Sequence, residues 1–479
     1  MKKTIFLFLL IGFLILLWIW GLSFWIGGCT STVNTEELTT TSLSIVTTTS
    51  QSAASSTSIN NPTTTTTNLV TTTTIVSNLQ GILDPSLNGT GIVTFNGTAN
   101  NADRGSAIMI DSNNKILVTG MASNGVNADM ALWRYDPAGS LDTSFNSTGL
   151  VIYSGLGNGY EAGNALTLDL IGKILVVGIS SISGESRGIM TIWRYNQNGS
   201  LDTSFNLTGI ATAGGTGGAI KFTSNNQIYV AGTRGNNVAL WRYNLPGTID
   251  LTFNLTGLAT WDGPSKLNDG ANAMAIDSSG RIVVTGQTFN TSTVDMVLLR
   301  FNTDGSLDNS FTTIYSNASG RSIAIDPSSD KIYVCGFTSS QASGTSAKAD
   351  DMIVWRYNSN GSLDTTFGDQ GKLLYTAGNN ISSAGNCIII DNEGKLLITG
   401  FTSANLGEPS SMAIWRLNPA GSYITSFGTN GLVTNHSASA GNGACIGNYI
   451  TQDSSGKIYV TGQSTNSSSN TDMAIWKYQ

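Results

Sequence analysis

The sequence predicts an all-β fold, a seven-bladed β-propeller with four-stranded blades, and three observations carry the prediction. A short strand running into a glycine recurs seven times at spacings of 50 to 64 residues. A Trp-Arg-Tyr strand or a variant of it follows each glycine. The pieces that the last copy lacks stand at the start of the repeat region, so the two ends of that region complete one blade.

The first element of each unit is a short apolar strand. It enters a turn led by Asp111, Asp169, Asp277, Asp326, Asp391 or Asp453, with Thr223 the exception. Such turns between β-rich runs are hairpin signals. The second strand ends in the recurring glycine, over 115–120, 173–178, 227–232, 281–286, 331–336, 395–400 and 457–462. A variable polar loop then leads to the third strand. It ends in Trp133-Arg134-Tyr135, 193–195, 241–243, Leu299-Arg300-Phe301, 355–357, Trp415-Arg416-Leu417 and Trp476-Lys477-Tyr478. Alternation places Trp133 and Tyr135 on one face and Arg134 on the other. A Gly-containing turn opens the Leu-Asp-x-x-Phe segment, 141–145 in the first copy and 423–427 in the most degenerate, and a fourth strand such as 150–153 or 258–261 follows. Segments 78–87 and 92–95 match the turn, segment and fourth strand missing after Tyr478. The N-terminal strand is therefore expected to complete the blade begun by 447–478, removing exposed sheet edges.

These motifs resemble the delta-60 repeat family of propellers, whose Asp-x-x-Gly-Lys-Ile, Arg-Tyr-Asn-x-x-Gly and Ser-Leu-Asp-x-x-Phe-Gly pattern runs through 78–479. The chain departs from it at Asn146, Asn206 and Asn254, where Asn replaces the Gly after Phe, and after Phe311, where that Gly is missing. The resemblance implies an exported, surface-associated propeller and brings no catalytic residues.

Residues 1–29 combine Lys2 and Lys3 with an apolar run to about Gly28, an export or anchoring signal. Ile26-Gly27-Gly28-Cys29 resembles a lipobox, which would make Cys29 the site of lipidation; an uncleaved anchor and an ordinary cleaved signal are the alternatives. All three export the remainder and tie the chain to a membrane or release it outside. Residues 30–77 are Thr- and Ser-rich with no core pattern, a disordered linker suited to a stalk.

Composition limits the chemistry. Only 11% of residues are charged and there is one histidine, His436, so a multi-His metal site is excluded and a Ser-His-Asp triad has one candidate base. A net charge of -7 with 23 Lys and Arg makes nucleic acid a poor partner. The Asp-led turns invite a calcium reading, but each offers one carboxylate, so hairpin chemistry is expected and no cofactor is assigned. The sequons at Asn88, Asn146, Asn206, Asn254 and Asn317 are expected at turns where Asn adopts left-handed geometry, with glycosylation the alternative. Cys335, Cys387 and Cys445 are expected as buried thiols, a Cys387 to Cys445 disulfide being the other reading.

Residues present in every copy are expected to be structural. The recurring Arg and the Asp of the Leu-Asp segment form a repeated, partly buried pair, the Trp series packs between sheets, and Trp261 takes the place of Phe95, Tyr153, Tyr315 and Tyr375. Exceptions are the site candidates. By analogy with NHL-type propellers, the strand before the Asp turn lines the central channel. Aligned there, Asn164, Asn272, Asn386 and Asn448 form a polar ring with Arg321, and Lys221 stands where other copies have Met, Thr, Ala or Ile. Such a mouth suits an anionic or carbohydrate ligand; the competing reading is that Asn caps the strand and the cations reach solvent. Glu161, Glu185, Asp262, Asp269 and Asp350 lie outside the repeat pattern and show no convergence.

The expected function is a non-catalytic, surface-anchored binding or scaffolding module for a protein or glycan, a monomeric propeller with variable loops on a rigid frame. A polysaccharide-acting enzyme or a surface-layer component is the alternative, since fold alone does not choose.

Overall fold

The computed structural model describes residues 80–155, 159–181, 188–340, 349–378, 381–405, 407–436, 438 and 443–479. The signal or anchor segment with Cys29, the linker 30–77, and Glu185 lie outside the described residues. Seven four-stranded antiparallel sheets form among the described residues, six of them strung in sequence order from inner to outer strand. In blade 1 these strands are Asp103–Ile110, Ile116–Ser123, Ala128–Tyr135 and Leu150–Tyr153. Inner strands of neighbouring blades contact one another around the ring, the last against the first.

Blade 7 closes the ring as expected. Its strands Cys445–Gln452, Ile458–Thr465 and Thr471–Tyr478 are completed by Ile92–Phe95, in the register Ile92 to Trp476 and Phe95 to Met473. Backbone bonds from Gly81 N to Gln479 O (2.9 Å) and Asp84 N to Lys477 O (2.8 Å) extend the seam.

The recurring glycine does not end the second strand. It lies inside it, as Gly120 does within Ile116–Ser123, because it faces a one-residue bulge in the inner strand. In all seven blades a Cβ on this glycine would stand 1.8–1.9 Å from an inner-strand carbonyl oxygen, that of Arg104 for Gly120 and of Ile446 for Gly462. No side chain fits there, which is why the residue is glycine in every copy.

The Trp series packs between blades as expected. Trp133, Trp193, Trp241, Trp355, Trp415 and Trp476 are fully buried. Trp133, Trp193, Trp355 and Trp415 each meet an aromatic ring from the outer strand of the preceding blade edge-to-face, at 5.4 Å for Phe95 with Trp133 and 5.3 Å for Tyr315 with Trp355. Blade 4 has Leu299 at the Trp position, and the residue packed against its core from blade 3 is the larger Trp261. Blade 6 offers Asn435 instead of an aromatic, and its Oδ1 accepts the Trp476 indole N–H at 3.1 Å.

The repeated ion pair also forms, between Arg134 and Asp142 (3.0 Å), Arg194 and Asp202 (3.0 Å), Arg242 and Asp250 (2.7 Å), Arg300 and Asp308 (2.6 Å), and Arg356 and Asp364 (2.9 Å). Lys477 and Asp84 supply it across the closing seam at 3.5 Å. Most of these arginines also donate to the next blade, as Arg134 does to the Gln197 carbonyl and Arg242 to that of Thr303. Arg416 differs because Ile424 stands where the Asp should be. It pairs instead with Asp391 (2.6 Å) and Glu393 (3.1 Å), and donates to Gln80 Oε1 at 2.7 Å.

Asp-led turns behave as hairpin caps. Asp111 Oδ1 accepts from Asn113 N and Lys115 N, and Asp277, Asp391 and Asp453 repeat the arrangement. The sequon asparagines 88, 146, 206 and 254 have φ between 46° and 52°. Each donates from Nδ2 to the carbonyl four residues on, and the sequon Thr hydroxyl donates to the same carbonyl, so Asn-x-Thr is a turn staple. The copy after Phe311 lacks this turn and runs into a three-residue outer strand, Thr313–Tyr315.

The exchanged pair at blades 3 and 4 makes a packing prediction. Leu299→Trp alone overfills and Trp261→Tyr alone underfills, each costing about 1–3 kcal/mol. Together they recreate the arrangement of the other blades. Urea unfolding of the four proteins is expected to give a favourable coupling of at least about 1 kcal/mol; strict additivity would refute the exchange.

Candidate functional site in the central channel

Bulges turn one residue of each inner strand out of the ladder: Ser106, Asn164, Gly218, Asn272, Arg321, Asn386 and Asn448. These form one ring around the axis. Lys221 lies three residues beyond its blade's bulge, on the inner strand Thr216–Phe222. Asn164, Lys221, Asn272, Arg321, Asn386 and Asn448 all line a single cavity of about 720 Å³, the central channel. The alignment thus brought together every propeller residue it named for the site.

The asparagines do not cap their own strands. Each reaches sideways and donates from Nδ2 to the carbonyl of the next blade's inner strand: Asn164 to Gly217 (2.8 Å), Asn272 to Gly320 (2.7 Å), Asn386 to Gly447 (2.9 Å) and Asn448 to Gly105 (2.8 Å). They are inter-blade clamps with one amide edge left over.

The two cations differ. The Arg321 guanidinium lies 5.0 Å from the centre of the Phe337 ring, a cation–π contact, and burial lowers its pKa against the opposing influence of Asp350. Lys221 is open to the lumen but walled by inner strands; burial lowers its pKa, with Cys387 acting in the opposite sense. It makes no hydrogen bond or ion pair among the described residues.

Tyr449 is a feature sequence reasoning passed over. The residue after the bulge is Ala107, Ala165, Ala219, Ala273, Ser322 and Cys387 in the other blades, and Tyr449 in blade 7. Its ring packs against the cores between blades 6 and 7, 7 and 1, and 1 and 2, using space that the small residues leave. One tyrosine among alanines was the signal. Cys335, Cys387 and Cys445 are free, buried thiols, so the disulfide reading is not realised. Cys387 faces Ser322 at 3.8 Å while the Cys445 thiol donates to Ser464 at 3.2 Å.

Glu161 and Asp269 are not stray carboxylates. With Asp103 they occupy the first position of an inner strand, fully or almost fully buried. Asp103 accepts from Gly97 N at 2.6 Å and Asp269 from Gly263 N at 2.5 Å, with Gly155 in the same place beside Glu161. The signal was a Gly six residues before the acid. Asp262 is exposed, and so is His436. Among the described residues no three His, Cys, Asp or Glu side chains gather as a metal site.

Seven four-stranded sheets around an axial channel make this a β-propeller. Residues 112–145, 172–205, 223–253, 278–311 and 328–367 match the family described as "Domain of unknown function (DUF5122) beta-propeller". No curated protein matches the chain. Among solved structures it is similar to a protein of unknown function from Dyadobacter fermentans, with 12% identity over 81% of this chain and 97% of that one and a TM-score of 0.45. It is similar also to the polysaccharide lyase Uly1 (9%, 78% and 90%, 0.46) and to a protein from Lactobacillus plantarum (13%, 76% and 95%, 0.42).

The carboxylates set the pH response. At Asp142, Asp202, Asp250 and Asp364 burial raises the pKa, but hydrogen bonds and the paired cations outweigh it and leave each below the ordinary range. Burial, with Asp472 nearby, outweighs the Gly97 and Ser123 amides and holds Asp103 up at about 6; Glu161 is raised as well, again by burial first. A lowered carboxyl stabilises the fold above its unfolded pKa and loses that contribution as pH falls through it. A raised one weakens the fold as pH climbs from the unfolded value of 3.8 towards 6. Thermal melts are expected to peak between about pH 4 and 6 and to drop steeply below 4. A melting temperature rising steadily from pH 4 to 8 would contradict this assignment.

Proposed function

We propose that the chain is a non-catalytic binding module held at the cell surface, taking a protein or glycan ligand at the channel. The observation that carries the reading is the convergence of three departures from the repeat on the channel. Residues that obey the pattern hold sheets and blades together, whereas Arg321, Lys221 and Tyr449, which break it, all face one cavity. The carboxylates Glu161 and Asp269, which could have hinted at acid–base chemistry, hold loops instead. Residues 1–29 act as the membrane attachment, through lipidated Cys29 or a retained apolar segment, and 30–77 as the stalk; the propeller acts as a monomer outside the cytoplasm.

The reading predicts two outcomes. In cell fractionation the chain sediments with membranes, and external protease removes the propeller from intact cells; recovery in the cytosol would overturn the placement. Residues 78–479, which retain the closing strand, are expected to be retained on a glycan array or a purified protein partner. The double change Lys221→Ala and Arg321→Ala is expected to abolish retention, and undiminished retention would remove the channel as the site.

A further inference from the structure

The asparagines of the bulge ring present acceptors to the channel. A backbone carbonyl can only accept, so the amide nitrogens of Asn164, Asn272, Asn386 and Asn448 must face the neighbouring glycine carbonyls, at 2.7–2.9 Å. Each Oδ1 is thereby turned from the neighbouring blade and accepts no hydrogen bond among the described residues. Four acceptors fixed on one ring suit a ligand rich in hydroxyl donors, with the Arg321 guanidinium, held against the Phe337 ring, on the same ring.

One layer along the channel stands the second cation. Lys221 stands in a ring with Met109, Thr167, Ala275, Ala324 and Ile389, none of which carries charge. Asp391 also reaches the lining, but its carboxylate is held by Arg416 at 2.6 Å. Lys221 therefore has no counter-ion among the described residues, and a ligand carboxylate would supply one in a walled site where such pairing is strong. Tyr449 adds an aromatic surface to the same cavity. The volume of about 720 Å³ falls within the range of small-ligand sites, roughly 300–1,000 Å³.

We infer that the channel binds an acidic sugar. A uronate residue donates its hydroxyls to the ring of asparagine oxygens and pairs its carboxylate with Lys221. This rests on the channel being the ligand site proposed above and names the ligand's chemistry.

Calorimetry of the full chain in detergent tests it, with tri-galacturonate as the probe against its methyl ester, galactotriose and acetate. Tri-galacturonate is expected to bind, and the ester, galactotriose and acetate to bind at least about tenfold more weakly. Lys221→Met should weaken tri-galacturonate by the same factor without moving the melting temperature, since Met109 occupies the equivalent place in blade 1. Equal affinity for the ester or galactotriose would overturn the role of Lys221, and equal affinity for acetate would overturn the role of the asparagine ring. If no probe binds while the array or partner retention still depends on Lys221 and Arg321, the uronate inference fails and the binding-module reading stands. If neither experiment shows binding, both fail.

Discussion

The fold depends on a contact with no room in it. Where the inner strand bulges, its carbonyl oxygen occupies the place that a side chain on the facing strand would need, and glycine is the residue that lets the two backbones meet. The bulge releases one residue per blade from the ladder and aims it along the ring. The wall of the channel is thus a by-product of backbone packing. Once that geometry exists, the released residue is free to vary: asparagine where it clamps the next blade, glycine at 218, and arginine at 321.

Around this frame the repeats tolerate loss by exchange across an interface. Trp261 fills what Leu299 leaves, Asn435 receives the indole of Trp476, and Asp391 with Glu393 takes the Arg416 charge that Ile424 cannot. Gln80 stands in with a side-chain oxygen where other blades present a main-chain carbonyl. The buried ion pairs need such substitutes, because a guanidinium left alone in that setting costs about 3–5 kcal/mol. Low overall charge and dense pairing are two sides of the same economy: few ions, and those repeated from blade to blade are structural.

Blade number, strand order, the closing seam, the Trp packing and most Arg–Asp pairs were legible in the sequence because each is a local pattern written several times. The channel residues were legible for the same reason, since aligning seven copies converts an exception into a position. What was missed lay in pairs that no single copy contains. The glycine looked like a strand end because its bulged partner sits fifteen residues upstream, in another strand. Asn looked like a cap because its acceptor belongs to the next blade. Glu161 and Asp269 looked isolated because their glycine precedes them across a loop, outside the strands that defined the repeat. Periodicity reveals what a unit is made of; it is blind to what one unit does for its neighbour.

The seam in blade 7 also sets an order of events during synthesis. Ile92–Phe95 emerges among the first strands of the ring and its partner Thr471–Tyr478 last of all. At about 5–20 residues per second, tens of seconds separate them. Until then the nascent ring is an open arc with two unpaired edges, vulnerable to pairing with another chain. The final strand is consequently a latch: it converts a stack of sheets, each added in turn, into an object with no first or last blade.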